Sequence, residues 1–100
     1  MTYKVLIGTE ASKFLSSLPD KTQRIIKNKC KLLADDPYPG RSGDKELIKI
    51  GHKSAYRMHV ARSYTVFYWI FENEKTVRIT AIMTIEQAHK IYGRIVSGFH

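Results

Sequence analysis

The stretch YRMHVARSYTVFYWI, residues 56–70, decides the fold. Two runs of bulky apolar and aromatic residues flank a short interruption, and this pattern predicts two antiparallel strands joined by a turn. Successive side chains of a strand point to opposite faces, so the two cations of the first run, Arg57 and His59, share one face. Two cations on one face of an otherwise apolar hairpin make that face the first candidate for function.

The register of this hairpin determines which side chains accompany the cations. In the second strand, both alternating sets of side chains are apolar enough to be buried, so this strand alone leaves the register open. A two-residue turn at 62–63 would require positive φ at residues that resist it, and we therefore expect a three-residue link, 61–63. The predicted pairs are Val60 with Tyr64 and His59 with Thr65. The predicted core face is Met58, Val60, Tyr64, Val66, Tyr68 and Ile70, and the predicted free face is Arg57, His59, Thr65, Phe67 and Trp69.

A face that combines Arg, His and exposed aromatic rings is typical of nucleic-acid binding, because cations contact phosphates and rings stack on unpaired bases. Pairing with the last strand is expected to add Arg78 or a neighbouring polar residue to this face. The core set predicted for that strand is Val77, Ile79, Ala81 and Met83. The alternative interpretation is a central strand packed on both faces, with Arg57 and His59 at a solvated edge.

Composition agrees with an anionic partner. The chain has 17 Lys and Arg against nine Asp and Glu, which gives a net charge of +8 and a pI near 9.8. Such a charge attracts polyanions, so nucleic acid, a nucleic-acid machine or an acidic protein are the expected partners. One hundred residues with 43% hydrophobic content predict one domain, 1–100, in which 93–100 is expected to be a loose tail.

Several function classes are disfavoured by what the sequence lacks. Cys30 has no second cysteine with which to pair, and no apolar run approaches the roughly 20 residues needed to span a bilayer, so we expect a cytoplasmic protein without a membrane partner. There is no phosphate-binding glycine motif or HExxH motif, and the histidines do not have the spacing of metal ligands. We therefore expect neither a metal nor a cofactor. The four histidines are His52, His59, His89 and His100.

The N-terminal half predicts a strand followed by two helices. Apolar residues at i, i+3, i+4 and i+7 predict a first helix that Thr9 caps and Pro19 ends. Asp20 and Gln23 have the form of a capping box, which opens a second helix reaching about Asp35. The inward stripe of this helix is Thr22, Ile26, Cys30 and Leu33. Its outer face carries Lys21, Arg24, Lys27, Lys29 and Lys31, which form either a solvated surface or a surface for an anionic partner.

The whole chain then predicts an α+β fold. Its order is β-α-α-β-β-β-β plus a short C-terminal helix, and a helical hairpin packs on one face of a small, mostly antiparallel sheet. The predicted strands are Tyr3–Gly8, Glu46–Ile50, Tyr56–Ala61, Tyr64–Phe71 and Thr76–Ile85, and the predicted last helix is Ile85–Tyr92.

These segments, in this order, resemble the RelE/ParE superfamily of type II toxin–antitoxin toxins, and particularly archaeal RelE-like proteins. The resemblance covers nearly the whole chain. It rests on an opening YKVLI, a DPYPG loop leading to ELIKI, then YRMHV, YTVFY and a terminal AHKIY. It implies a small antiparallel sheet with helices on one side.

The resemblance also implies an activity. RelE toxins are ribosome-dependent mRNA endoribonucleases that inhibit translation, and an antitoxin, here expected to be RelB-like, holds them inactive. The ribose 2′-OH attacks the adjacent phosphate, which requires a base, cations for the phosphate and an acid for the leaving oxygen, but no metal. The implied partners are therefore the antitoxin, the ribosome and mRNA.

Carried over by position, the resemblance implies a site. Arg57 and His59 match two basic residues of bacterial RelE toxins, as phosphate clamp and base, and Tyr92 matches a tyrosine that stacks on or orients the substrate. Thr65 and Glu86 stand where the family has arginines. Compensation is expected from Arg62, Arg78 or His89. The predicted catalytic residues are Arg57, His59, Tyr92 and His89, and the predicted RNA contacts are Arg62, Arg78, Phe67 and Lys49.

Two other functions remain open at this point. Thr65 and Glu86 favour a ParE-like or diverged toxin that binds a target protein or the ribosome without cutting RNA. A weaker hypothesis is a plain RNA-binding module without toxicity.

Overall fold

A computed structural model describes residues 2–40, 43–50 and 53–90 of the chain. Seven longer elements form the fold, and a last helix, α3, includes residues 85–90. Short 3₁₀ turns occupy Leu32–Ala34 and Glu72–Glu74. The longer elements are β1 (Lys4–Ile7), α1 (Thr9–Ser16), α2 (Asp20–Lys31), β2 (Lys45–Ile50), β3 (Lys53–Val60), β4 (Tyr64–Phe71) and β5 (Thr76–Thr84).

The five strands form one sheet in the order β1-β5-β4-β3-β2. β1 pairs in parallel with β5, and the other three pairings are antiparallel. The predicted α+β class, with a mostly antiparallel sheet and an N-terminal helical hairpin, is confirmed. The expected strands differ mainly at their ends, since β2 begins at Lys45 and β3 at Lys53.

The core lies between the helix pair and one face of the sheet. The predicted α2 stripe is confirmed in part, because Ile26 is fully buried and Cys30 is 3% exposed, whereas Thr22 is only half-buried. Leu33 is fully buried but lies in the 3₁₀ turn, because α2 ends at Lys31 and not near Asp35 as predicted. Burial raises the pKa of the Cys30 thiol to about 11, so the thiol stays protonated at neutral pH. The sheet side chains that meet the helices are Met58, Val60, Val66, Tyr68, Val77, Ile79 and Ile82.

The helix starts differ from those predicted. Gly8 rather than Thr9 is the N-cap of α1, and Pro19 rather than Asp20 is the N-cap of α2. The Gln23 side-chain amide does not return to a capping residue but donates to the Leu18 carbonyl at 2.8 Å. Proline fixes its own φ in the range of a helix entry and can therefore begin α2 without a side-chain cap.

The register predicted for the β3–β4 hairpin is confirmed, with Val60 opposite Tyr64 and His59 opposite Thr65. The reason given for it is wrong, however, because the three-residue link does not avoid positive φ. Ala61 and Arg62 adopt φ of 53° and 63°, and the Ser63 N–H donates to the Val60 carbonyl at 3.2 Å. The strands are thus joined by the left-handed turn that suits their twist, at positions without glycine.

A bulge in β5 overturns part of its predicted core set. Phe67 pairs with Ala81 but Tyr68 pairs with Ile79, so Thr80 is an extra residue that has no partner in the ladder. One inserted residue exchanges the two faces of everything that follows it. Ile82 therefore enters the core at 3% exposure, and the predicted core residues Ala81 and Met83 lie on the opposite face.

Candidate nucleic-acid interface

The face of the sheet opposite α1 and α2, here called the outer face, carries the two cations that the hairpin predicted. Met58 and Val60 are both 1% exposed in the core, so alternation along β3 directs Arg57 and His59 to the outer face. Cross-strand neighbours on β4 are Phe67 for Arg57 and Thr65 for His59. The structure therefore brings together Arg57, His59, Thr65 and Phe67, four of the five residues that the sequence assigned to one face. The fifth, Trp69, lies two residues after Phe67 and so shares its face of β4.

Arg57 is held by a carboxylate on the neighbouring edge strand. Glu46 lies directly opposite it in the ladder, and its Oε2 accepts hydrogen bonds from Nη2 at 2.6 Å and from Nε at 3.0 Å. The Arg57 side chain is only 14% exposed, whereas that of Glu46 is 48% exposed. The guanidinium is thus fixed in position, and an anion that approaches it competes with Glu46.

Thr65 contradicts the expectation that the outer face is free. Its residue is 1% exposed, and its Oγ1 is buried with no hydrogen-bond partner in the described part of the chain. Its neighbours in the ladder are His59 and Met83. Ile48 and Ala55, which share this face by strand alternation, are each 6% exposed. Part of the outer face is therefore a second, small apolar layer.

Helix α3 begins next to this layer through a capping box that the sequence analysis missed. The Gln87 N–H donates to Thr84 Oγ1 at 3.2 Å, and the Thr84 N–H donates to Gln87 Oε1 at 3.1 Å. The signal was present as Thr-x-x-Gln directly after a strand. Ala88 on this helix is 2% exposed, and the Ile85 N–H donates to the Ser63 carbonyl at the hairpin turn. The helix start is thereby fixed beside the hairpin.

The other predicted site residues are dispersed. Arg62 is exposed at the hairpin turn, and Phe67 is half-buried beside Arg57. Arg78 is exposed opposite Trp69. Lys49 lies three residues from Glu46 on β2 and therefore points to the other side of the sheet, away from Arg57. His89 is exposed on α3, and Tyr92 lies outside the described residues.

The comparison with known proteins assigns the family. A family model described as the ParE toxin of the type II toxin–antitoxin system, parDE, matches residues 6–89. The chain belongs to this family. It is a type II toxin–antitoxin toxin with the RelE/ParE fold, as the resemblance predicted. A search of curated protein sequences found no match for the toxin.

Solved structures agree with the family. The toxin is 26% identical to a chain of the archaeal RelE–RelB complex from Pyrococcus horikoshii OT3, with a TM-score of 0.71, and 84% of this chain and 96% of that chain are covered. A chain of the RelBE2 toxin–antitoxin complex from Mycobacterium tuberculosis has a TM-score of 0.71 at 18% identity, over 84% and 99% of the two chains. A chain of the intact E. coli RelBE complex has a TM-score of 0.64 at 16% identity, over 80% and 93%. At these identities, the similarity to the last two chains shows a shared fold and nothing further.

The described residues contain neither a cluster of metal ligands nor a membrane-spanning helix. Nowhere in residues 2–40, 43–50 and 53–90 do three or more His, Cys, Asp or Glu side chains come together in a way that could hold a metal ion. Within the same ranges, no helix has the length and apolar character needed to cross a membrane.

Proposed function

We propose that this toxin is an mRNA endoribonuclease that acts on the ribosome and inhibits translation. The observation that carries the proposal is the common position of Arg57 and His59 on the outer face, beside aromatic rings and opposite the helix pair. An imidazole that can accept a proton and a guanidinium that is held in place are suited to RNA cleavage by 2′-OH attack. The net charge of +8 favours an RNA substrate.

In this mechanism His59 accepts the proton of the ribose 2′-OH, and the oxygen attacks the adjacent phosphorus. The bond to the 5′ oxygen of the next nucleotide breaks as the new bond forms. The products are a 2′,3′-cyclic phosphate and a 5′-OH once the leaving oxygen has received a proton. His89 or Tyr92 is the proposed proton donor, and Tyr92 also orients the substrate. Arg57 stabilises the negative charge that builds up on the phosphate.

Glu46 gives the proposed clamp its starting position. An arginine side chain is flexible, and ordering it during the reaction would cost conformational entropy. The two hydrogen bonds to Glu46 Oε2 order the Arg57 guanidinium beforehand, so an approaching phosphate would meet a group that is already held in place. The cost of this arrangement is that Glu46 repels the phosphate.

Thr65 and Glu86 supply no positive charge where the family has arginines. Two exposed arginines elsewhere on the toxin would supply positive charge to the RNA instead. Arg62 stands at the hairpin turn, and Arg78 lies on β5. Each arginine is expected to contact the RNA backbone rather than the reacting phosphate. We therefore expect this toxin to cleave more slowly than a site with a full set of arginines, because the loss of one charge contact lowers the rate on the order of 10²-fold.

A cleavage assay on programmed ribosomes tests the proposal. Wild-type toxin is mixed with ribosomes that hold a defined mRNA with an empty A site, and the RNA ends are mapped. We expect a cut within the A-site codon, and a loss of at least 10²-fold in the single-turnover rate when Arg57 and His59 are both changed to Ala. Arg24→Gln, which removes an exposed charge from α2, is the matched control and should cut normally. Intact mRNA with wild-type toxin, or an undiminished rate in the double variant, would refute the proposal.

The proposed inhibitor is a short, acidic RelB-like antitoxin. Support comes from the archaeal neighbour, whose solved structure is a RelE–RelB complex. The exposed basic residues Lys21 and Lys27 of α2, together with Leu32 of the following 3₁₀ turn, which is 57% exposed, suit an acidic amphipathic partner. Co-expression with the short reading frame adjacent to the toxin gene should restore growth and yield a co-purifying complex. Failure of every neighbouring frame to neutralise the toxin would argue against this partner.

A second candidate function is a ParE-like toxin that binds a target protein without cutting RNA. Two observations favour it. Thr65 is buried and uncharged where the family has an arginine, and Glu46 pairs with Arg57, so the outer face offers less positive charge to a phosphate. This candidate predicts growth inhibition while cellular mRNA stays intact. The ribosome assay therefore separates the two functions.

A further inference from the structure

Strand β4 carries a row of three aromatic side chains on the outer face. Phe67, Trp69 and Phe71 are alternate residues of the strand, so their side chains follow one another at about 7 Å. Phe67 and Trp69 are half-buried, and Phe71 is 42% exposed. Because Phe67 is the cross-strand neighbour of Arg57, the row begins at the proposed cleavage site and leads away from it.

The far part of this row borders an open groove of about 790 Å³, which we call the Trp69 groove. It extends from β3 across β4 and β5 to the start of α1. Its volume is large enough for a nucleotide, and its wall combines an indole ring with a guanidinium. Its lining includes Ser54, Trp69, Phe71, Arg78, Thr80 and Glu10.

Charge in the Trp69 groove favours an anionic ligand next to the indole. Arg78 is exposed, lies opposite Trp69 in the ladder and makes no ion pair within the described ranges. Its guanidinium is therefore available, unlike that of Arg57, which Glu46 engages. Glu10 is the one carboxylate among the described lining residues, and it comes from α1, on the side of the groove away from β3. These two charges suit a nucleotide whose phosphate lies near Arg78 and whose base, which carries hydrogen-bond donors, lies away from Arg78 in the same groove.

We infer that the Trp69 groove binds one unpaired nucleotide of an RNA chain, with its base stacked on Trp69 and its phosphate on Arg78. The inference rests on the proposed function in taking RNA as the ligand class, and it adds a subsite outside the proposed catalytic residues. Stacking on an aromatic ring accepts any base, so this subsite contributes affinity and alignment rather than sequence preference. The continuous row from Phe67 to Phe71 favours a strand of RNA over a free nucleotide.

The single tryptophan of the chain makes the subsite directly observable. The full-length toxin is titrated with a fluorescently labelled 2′-O-methyl RNA hexamer, which cannot be cleaved by 2′-OH attack. Labelled-RNA anisotropy measures affinity, and intrinsic fluorescence reports on Trp69 alone. We expect saturable quenching of Trp69 with the same midpoint as the anisotropy change.

Variants separate stacking from general charge. Trp69→Ala should weaken binding roughly 10- to 100-fold, and Trp69→Phe should restore most of the loss, because a smaller ring still stacks. Arg78→Gln should weaken binding and reduce the slope of log affinity against log salt by about 1. Arg24→Gln removes the same charge from α2 on the other side of the sheet and should leave the slope nearly unchanged. Thermal unfolding of each variant checks that it is folded.

Unquenched Trp69 fluorescence at saturating RNA would overturn the inference, as would equal effects of Arg78→Gln and Arg24→Gln. Absence of RNA binding would overturn it as well. These outcomes are independent of the cleavage assay. Quenching without ribosomal cleavage would retain the subsite and refute the nuclease, whereas cleavage with unquenched Trp69 would do the reverse.

Discussion

Thr65 was predicted to lie on a free face, but the structure buries it. The sequence places it beside Arg57 and His59 as a small polar residue in a cationic cluster. In the structure it is 1% exposed, and its hydroxyl has no partner among the described residues. Burying a hydroxyl without a hydrogen bond costs free energy that a methyl group would not. Alternation predicted the face of Thr65 correctly, but burial depends on what packs over that face, and local sequence does not encode this.

Replacement of Thr65 by Val tests the cost of this hydroxyl. The two side chains have nearly the same shape, so the change removes the unpartnered group without opening a cavity. We expect Thr65→Val to raise the free energy of unfolding by about 1 kcal/mol in urea titrations. A loss of 1 kcal/mol or more would mean that the hydroxyl has a partner after all.

Glu46 provides a second test at the residue scale. Its carboxylate engages Arg57 and therefore competes with phosphate. Glu46→Gln is expected to strengthen binding of the uncleavable RNA hexamer several-fold, since an anion beside the guanidinium is removed. Glu74→Gln removes the same charge from the β4–β5 loop, where Glu74 is exposed, and serves as the control. Equal affinities of the two variants would show that Glu46 does not oppose RNA.

At the scale of elements, the β3–β4 hairpin could be predicted and the end of β5 could not. A three-residue link sets one register for the hairpin, and this length was predicted correctly although the reason given for it, the avoidance of positive φ, was wrong. The β5 bulge at Thr80 has no comparable signal, because Thr is also an ordinary strand residue. Its presence depends on how β5 pairs with β4, where Thr80 Oγ1 donates to the Phe67 carbonyl at 3.3 Å. The predicted faces of Ala81 and Met83 were therefore wrong.

The hairpin turn stores strain that a glycine should relieve. Ala61 has a φ of 53°, a conformation that costs a residue with a Cβ about 1–2 kcal/mol. Ala61→Gly removes this cost but adds entropy to the unfolded chain, so the net stabilisation should be about 0.5–1 kcal/mol in urea unfolding. Ser63→Gly, at a position without positive φ, should instead lower stability. The prediction fails if both changes destabilise the protein equally.

At the scale of the whole molecule, Glu72 joins three distant parts of the chain. Its carboxylate accepts hydrogen bonds from the Tyr3 hydroxyl at 2.8 Å, the Tyr38 hydroxyl at 3.0 Å and Lys75 Nζ at 3.0 Å. The bonds from Lys75 and then Tyr3 hold the pKa of Glu72 below its usual range, and the bond to Glu72 raises the pKa of Tyr3. Residues this far apart in sequence give no local signal, so this cluster could not be predicted.

The Glu72 cluster predicts how stability depends on pH. Because the folded pKa of Glu72 is lowered, its contribution is present above the unfolded value of 4.5 and is lost as pH falls through the folded pKa. Glu72→Gln should therefore lower the melting temperature at pH 7, and the difference from wild type should shrink between pH 5 and pH 3. Glu74→Gln is the neighbouring control. A difference that is independent of pH would show that the carboxylate charge is not involved.

The candidate site was predictable in part. Periodicity and register were sufficient to bring Arg57, His59 and Phe67 to one face, and the family resemblance assigned roles to them. Strand alternation along β2 directs Lys49 away from Glu46 and Arg57, and its role as an RNA contact stays a prediction. The Trp69 groove was missed, since it forms only where the start of α1 meets the far end of β4 and β5.

If the outer face activates a ribose 2′-OH, removal of that hydroxyl from the substrate must prevent cleavage. After the cleaved position in a ribosome-bound mRNA has been mapped, the same mRNA is prepared with a single 2′-deoxyribose on the 5′ side of that bond. We expect wild-type toxin to cut the all-ribose mRNA, leaving a 2′,3′-cyclic phosphate, and to leave the substituted mRNA intact at that position. Cleavage of both mRNAs at the same rate and position would contradict it.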